Sequence, residues 1–485
     1  MRSRAIGLIL AGIFLAADAI FLLRHNSFSV GGSDSSGYLN TAKRMVAGRL
    51  VARPRTLDRL GLPDGDVQLV TPLGFVTGSR GTMIPFYPAG FPAHMAAAAQ
   101  LFGWNLGPFL VSPLAAVLCL PLFFFLAREL ALPRSWAAAG TALFAAWPVG
   151  IGQAIQPMSD ATATFWCLAS VLCAVKARRR TVWALPAGAA LGIAVLVRPT
   201  NLLLVIALAF ALPVAPAALA LFVLGGVPFA ALLALFNMRC YGNPLQSGYR
   251  KIGLLDAVAL VNFSPRLRHY GGWLFRSLTP LIPLGWLGLA LDREVRWRDR
   301  GLLLSWFGAF FLFYCLYEPY DSFWFVRFLL PAAPALFLGA LLAAQDLSSK
   351  LPRLPRFVIA ALLFGAVLFA EIRTLRSIGI LHIAESESTY PQICAWAART
   401  VPPGGVVLSM AASGALENYT DMSYARWDWL TPEKLADLRA RTKGRGTRWF
   451  ALLYPFEWEQ VPQHAPGRWR KIGQLREVGL WELEE

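Results

Sequence analysis

The sequence predicts an all-α, polytopic membrane protein that ends in a small soluble α/β domain. Three observations carry this. Hydrophobic types make up 56 % of the 485 residues and charged types only 15 %, against roughly 25 % charge in an average soluble domain. The apolar residues are gathered into runs free of acidic and basic side chains, such as 106–127, 219–236 and 357–370, several of them near the ~20 residues that cross a bilayer as helix. After residue 372 the composition changes abruptly to a mixed polar and apolar pattern. The expected organisation is therefore a membrane module over 1–372 and a soluble domain over 373–485.

Hydropathy places about eleven spans, near 5–23, 107–127, 136–151, 160–176, 182–197, 200–212, 217–236, 274–291, 301–317, 325–345 and 357–371. The first follows Arg2 and Arg4 and reads as an uncleaved first span, since no clear small-x-small cleavage site follows it. Charge sets the orientation. The connections through Arg128 and Arg134, 176–180, 293–300 and 350–356 are short and basic, which assigns them to the cytoplasm. Loops 152–159 and 318–323 carry no Lys or Arg and fall outside. The N-terminus is then cytoplasmic and the tail faces outward. The net charge of +17 follows from this loop bias, and no nucleic-acid partner is expected. Segment 87–102 begins with Pro88 and Pro92. Counting it as a span would invert every later loop, so it reads as a helix lying in the outer interface.

Three regions face outward: a first loop over about 24–106, a polar and aromatic stretch over about 238–272, and the tail. The tail alternates helical patterns (391–400, 431–441) with strand-like runs (406–410, 449–454, 479–483), as a small α/β domain of about 100 residues does. The six cysteines form no CxxC pair, so neither a zinc site nor a disulfide framework is indicated.

Two acids stand at outer helix mouths. Asp34 lies in Gly31-Gly32-Ser33-Asp34-Ser35-Ser36-Gly37-Tyr38, ahead of a short amphipathic helix over 41–50, and Asp160 in Gln156-Pro157-Met158-Ser159-Asp160. Each is open to two readings. Asp commonly caps a helix, whereas a pair of outward acids suits general-base work and substrate orientation. Arg198, in Val197-Arg198-Pro199-Thr200-Asn201, and Arg327, in Phe325-Val326-Arg327-Phe328-Leu329, also stand at the outer ends of apolar runs. An Arg there either snorkels to the headgroups or grips phosphate through its planar fork.

In this order the motifs resemble bacterial GT-C glycosyltransferases, the large family of aminoarabinose transferases, protein O-mannosyltransferases and lipopolysaccharide-core galacturonosyl transferases. Ser33–Leu39 is similar to the family's first-loop acidic motif. Tyr87-Pro88-Ala89-Gly90-Phe91-Pro92 resembles its juxtamembrane Tyr-Pro-Pro helix, and Met158-Ser159-Asp160 its second-loop acid. The stretches 196–201, 241–249 and 327–331 resemble later motifs. The likeness covers roughly 1–345 and does not reach the tail. It implies a GT-C helical core with interfacial helices in the first outer loop, in the bacterial cytoplasmic membrane. It further implies a sugar donor on polyprenyl phosphate and a glycan, lipid or protein acceptor on the outer face, with inversion at the anomeric carbon. In that reading Asp34 is the general base and Asp160 positions substrate. Arg198 and Arg327 hold the leaving phosphate, and Tyr38, Tyr87 and Tyr249 line the cavity. Where many members carry a second acid in the first loop, this chain has Asp34 between serines, so the need for a divalent cation is left open.

Two other classes compete. A secondary transporter or flippase usually shows mid-span acids and paired repeats, and the sequence has neither in clear form. A lipid-linked polymerase or ligase would rely on a late outer Arg or His, with His269 as its candidate, and would give Asp34 no role.

Overall fold

The computed structural model describes residues 2–317, 322–444 and 446–484; of the loop 318–323, expected to face outward, residues 318–321 lie outside this set. The chain divides into two compact units. One comprises residues 1–26, 110–233 and 253–383, the other 27–109, 234–252 and 384–485.

The first unit is helical. Among the described residues seven helices are long and apolar enough to cross a bilayer: Ile6–His25, Gly107–Glu129, Ser159–Ala177, Pro216–Tyr241, Trp297–Leu316, Phe323–Ser349 and Phe357–Ser377. The remaining expected spans appear as shorter pieces, and proline explains where they break. Thr181–Val197 and Pro199–Ala211 are apolar helices of intermediate length, separated at Arg198, whose extended backbone (φ −146°, ψ 115°) suits a residue before proline. The run over 136–151 is interrupted at Trp147, ahead of Pro148, into Arg134–Ala146 and Pro148–Ala154. The run over 274–291 is divided at Thr279-Pro280 between Phe263–Leu278 and Leu281–Gly288. The core is a continuous cluster of buried Leu, Phe, Trp and Ala, including Phe123, Trp147, Trp306, Phe310 and Phe337.

The second unit is built on two sheets. A short antiparallel ribbon pairs β1 (Phe75–Thr77) with β2 (Met83–Pro85). The larger sheet contains β3 (Val406–Leu408), β4 (Ser423–Ala425), β5 (Trp449–Leu453), β6 (Arg468–Leu475) and β7 (Val478–Glu484) in the order β4-β3-β5-β7-β6. β3 runs parallel to β4 and β5, and β7 is antiparallel to β5 and β6. Successive side chains of a strand point to opposite faces, so a sheet this apolar must be covered twice. One cluster gathers Val407, Phe450 and Leu480 with Ile393 and Ala397 of the helix Thr389–Thr400. The opposite cluster gathers Val406, Leu408 and Trp449 with Leu57, Leu60, Leu62, Val67, Leu69 and Val70. Those last six belong to the long first loop. The loop therefore supplies a layer of the tail's core, and Arg44–Glu417 (2.6 Å), Arg426 N–H to the Leu69 carbonyl (2.6 Å) and Tyr424 N–H to Thr56 Oγ1 (3.1 Å) fix the register.

The helix expected in the interface is Gly90–Phe102. Its 13 residues span about 20 Å, short of the ~30 Å hydrocarbon core.

Candidate active site

In the helical unit, proline-made interruptions bring three charged residues together. Met158, after Pro157, is extended, and the helix Ser159–Ala177 starts after it with Asp160 in its first turn, where the helix dipole favours an acid. Arg198 sits in the extended break described above. Arg327 lies in the 3-10 segment Phe323–Ala332, which contains Pro331. Asp160 is fully buried and Arg327 is 8 % exposed. One Arg198 Nη donates to Asp160 Oδ1, and Arg327 Nη1 stands 3.8 Å from Asp160 Oδ2. Both guanidinium groups pack within 5.4 Å of the Phe328 ring. Beside them the Tyr314 hydroxyl donates to Thr200 Oγ1 at 2.9 Å. Asn201 Nδ2 holds the Ala194 carbonyl at 2.8 Å, closing the helix that delivers Arg198.

Both Arg side chains are drawn onto one buried carboxylate. Asp160 is not a cap, because Met158 occupies that position. Buried ionisable groups are costly unless paired, and the planar guanidinium forks match the oxygens of an anion such as phosphate.

The second unit gathers the other four predicted residues. The helix Asp34–Val46 begins at Asp34, with Ser33 in the capping position and making no side-chain cap bond. The Tyr87 hydroxyl donates to Asp34 Oδ1 and lies 2.9 Å from Ser33 Oγ. Burial and the Asp34 charge hold the Tyr87 phenol well above its ordinary range, so Tyr87 stays a donor and Asp34 its acceptor. Tyr38 packs on Tyr87 at 4.6 Å and on Phe91 at 4.9 Å between ring centroids. Tyr249 lies edge-on to Tyr87 at 6.4 Å. It is brought there by the Tyr241 hydroxyl, which donates to the Pro85 carbonyl at 2.9 Å. The approach demands glycine: a Cβ on Gly37 would stand 2.7 Å from both Gly74 Cα and the Tyr87 ring, and Gly74 has φ +87°. Asp34 is half-buried, so one side of its carboxylate is turned by Tyr87 while the group keeps access to solvent.

The predicted residues thus fall into two groups, Asp160 with Arg198 and Arg327, and Asp34 with Tyr38, Tyr87 and Tyr249. Thr200, Tyr314 and Phe328 complete the first group and were not anticipated, since hydroxyl and aromatic residues inside apolar runs carry no distinguishing pattern. Among the described residues no cluster of three or more His, Cys, Asp or Glu side chains is placed to hold a metal ion.

No protein-family model and no curated protein matches the chain in sequence. Solved structures do match in shape. The aminoarabinose transferase ArnT of Cupriavidus metallidurans, bound to undecaprenyl phosphate, superposes with a TM-score of 0.58 at 13 % identity, covering 99 % of this chain and 98 % of that one. Its apo form gives 0.60 over the same shares. The chain has the GT-C fold. A second GT-C structure, the oligosaccharyltransferase AglB of Archaeoglobus fulgidus in complex with an inhibitory peptide and a dolichol-phosphate, matches with a TM-score of 0.53 at 14 % identity, over 91 % of this chain and 69 % of that one.

Proposed function

We propose that this GT-C chain moves a sugar from a polyprenyl-phosphate donor to an acceptor hydroxyl on the outer face of the bacterial cytoplasmic membrane. The observation that carries the reading is the buried grouping of two guanidiniums, Arg198 and Arg327, around Asp160. Two proteins of similar fold are known with polyprenyl phosphates bound. In the reaction the acceptor oxygen attacks the anomeric carbon, and the bond from that carbon to the phosphate oxygen breaks. The bonding pair leaves with the polyprenyl phosphate, and the acceptor proton passes to Asp34. Arg198 and Arg327 stabilise charge that grows on the leaving phosphate, the role for which preorganised cations are most effective. Asp160 holds the two guanidiniums apart and oriented. Tyr87 aims the Asp34 carboxylate through its hydrogen bond.

The test replaces each Arg by Lys. Lys keeps the charge and long stem that anchoring needs but loses the bidentate fork. Arg198→Lys and Arg327→Lys are each expected to raise the donor KM about tenfold or more, the scale of one lost hydrogen bond to a charged group. Insertion and thermal stability should stay near wild type. The measurement is transfer rate against undecaprenyl-phosphate-linked sugar concentration, with purified protein in lipid. Unchanged kinetics in both variants would rule out phosphate binding by the pair.

The reading also needs the tail and first loop outside. Single cysteines introduced at Arg180 and at exposed Arg468 in a cysteine-free background should react oppositely with a membrane-impermeant maleimide, Arg468 from outside and Arg180 only after permeabilisation. The reverse pattern would remove Asp34 from the donor's side of the membrane.

A further inference from the structure

A cavity of about 210 Å³ lies in the helical unit beside Arg327. One wall is the helix Pro148–Ala154, which contributes Val149, Gly152 and Gln153. A second is the start of the 3-10 segment Phe323–Ala332, with Phe323 and Trp324. A third follows the helix Arg353–Ser377 and brings Ile380. Packing holds these walls in place. Phe323 meets Trp273 at 4.8 Å between ring centroids, and a Cβ added at Gly152 would stand 3.6 Å from Ile380. The volume falls below the ~300–1,000 Å³ of drug-sized sites, so the cavity suits a single small ring.

Trp324 ties this cavity to the Arg pair. In a 3-10 helix the side chains at i and i+3 eclipse, about 6 Å apart along the axis, and Arg327 follows Trp324 by three residues. The Arg327 guanidinium accordingly lies over the Trp324 ring, 5.4 Å from its centroid. A ring packed on Trp324 and a phosphate held by Arg327 would be neighbours on the scale of a sugar and its own phosphate.

Gln153 adds the polar element. It is 2 % exposed, and its Oε1 is closed off from solvent with no hydrogen-bond partner. A buried acceptor without a donor destabilises the fold, so packing alone does not account for an amide here. The terminal torsion of Gln is broad, and a rotation about it presents either end of the amide to the cavity. Aromatic and aliphatic walls with few placed polar groups make up a small-molecule site. A sugar matches these walls, since its C–H faces pack on an aromatic plane while a hydroxyl meets the amide. An isoprenyl chain would match the apolar walls and leave Gln153 unmet.

We propose that this cavity receives the sugar of the donor, with its ring against Trp324 and one ring hydroxyl bonded to Gln153, so that Gln153 selects the sugar. The proposal rests on Arg327 holding the donor's phosphate. A site that bonds a substrate hydroxyl rejects the analogue lacking it, because its own buried polar group is then left unpaired.

The experiment reads donor binding from thermal unfolding of the full chain in detergent, which needs no acceptor. The probes are undecaprenyl phosphate, the same phosphate carrying glucose, galactose, mannose, xylose or arabinose, and the monodeoxy forms of whichever sugar binds best. Wild type should bind one glycosylated phosphate about tenfold or more tighter than the bare phosphate, the scale of one buried hydrogen bond, and should lose that gain with one monodeoxy form. Gln153→Met keeps the length of the side chain and removes the amide. It should melt at or above the wild-type temperature, bind bare phosphate as wild type does, and no longer distinguish the sugar from that deoxy form. Gly152→Ala narrows the cavity and should weaken the glycosylated phosphates but not the bare one. The proposal is overturned if wild type gains nothing from any sugar, or if Gln153→Met keeps the wild-type discrimination. Tighter binding of bare phosphate by Gln153→Met would also overturn it, by giving the cavity to the isoprenyl chain, as would a melting temperature well below wild type, by making the amide structural. Wild-type binding of bare phosphate in both Arg198→Lys and Arg327→Lys would instead overturn the phosphate reading, and the gain from the sugar would still report on the cavity.

Discussion

Asp34→Asn is expected to lower sugar transfer by ~10²–10⁴-fold, the usual contribution of a general base, while the protein folds and inserts normally. The substitution keeps the shape of the side chain and an oxygen that accepts from the Tyr87 hydroxyl. It removes only the ability to take up a proton at neutral pH. A role at the helix start predicts a different outcome. Ser33, not Asp34, occupies the capping position, and Asn serves near a helix N-terminus almost as well as Asp, so a structural Asp34 would tolerate the change. Tyr87→Phe separates aim from chemistry. It deletes the hydrogen bond that turns the carboxylate but leaves the base, so its loss should be smaller than that of Asp34→Asn. Equal losses would mean that Tyr87 itself takes part in the chemistry. The measurement is single-turnover transfer from undecaprenyl-phosphate-linked sugar, with circular dichroism as the control for folding. Near-normal turnover in Asp34→Asn would exclude it as the base.

The sequence displayed the membrane module well because its signal is local. A run of apolar residues needs no distant partner to be a helix in lipid. The break at Arg198-Pro199 falls between the expected spans 182–197 and 200–212, whereas the one at Trp147-Pro148 falls inside the expected span 136–151; proline alone does not announce a break, since Pro113, Pro121 and Pro228 lie inside continuous helices. In the tail, β3, β5 and β7 and the two longer helices were also visible, since each carries its own periodicity. β6 was hidden by its function as an edge. Arg468, Arg470 and Lys471 keep that border from pairing with another chain and erase the apolar alternation. The partnership of the first loop with the tail left no trace in sequence, because Leu57, Leu69 and Val406 meet only after more than 300 intervening residues.

The same logic governs the site. Acids and Arg residues at helix mouths could be picked out individually, but not the fact that Asp160 receives both guanidiniums.

Asp160→Asn is expected to destabilise the helical unit by about 3–5 kcal/mol, the cost of removing one partner from a buried ion pair. Asp160 pairs with Arg198 and stands 3.8 Å from Arg327. Its neutralisation removes that negative charge from beside two buried guanidiniums, both packed on the Phe328 ring. The same change sharpens the test of what the pair binds. A phosphate brought by a polyprenyl chain would replace the missing negative charge, so the variant should gain more from it than wild type does. Ligand at 100 times its dissociation constant stabilises by about 2.7 kcal/mol, and the variant's tighter binding would add to this at equal concentration. Thermal unfolding in detergent, with undecaprenyl phosphate and with undecaprenol as the uncharged control, reads both effects. Wild type should shift upward with the phosphate alone, and Asp160→Asn should start lower and shift further. If undecaprenol protects as well as its phosphate, the lipid chain and not the Arg pair is what the protein holds. If Asp160→Asn unfolds like wild type, the guanidiniums have another counter-charge and the buried group is not the anion site.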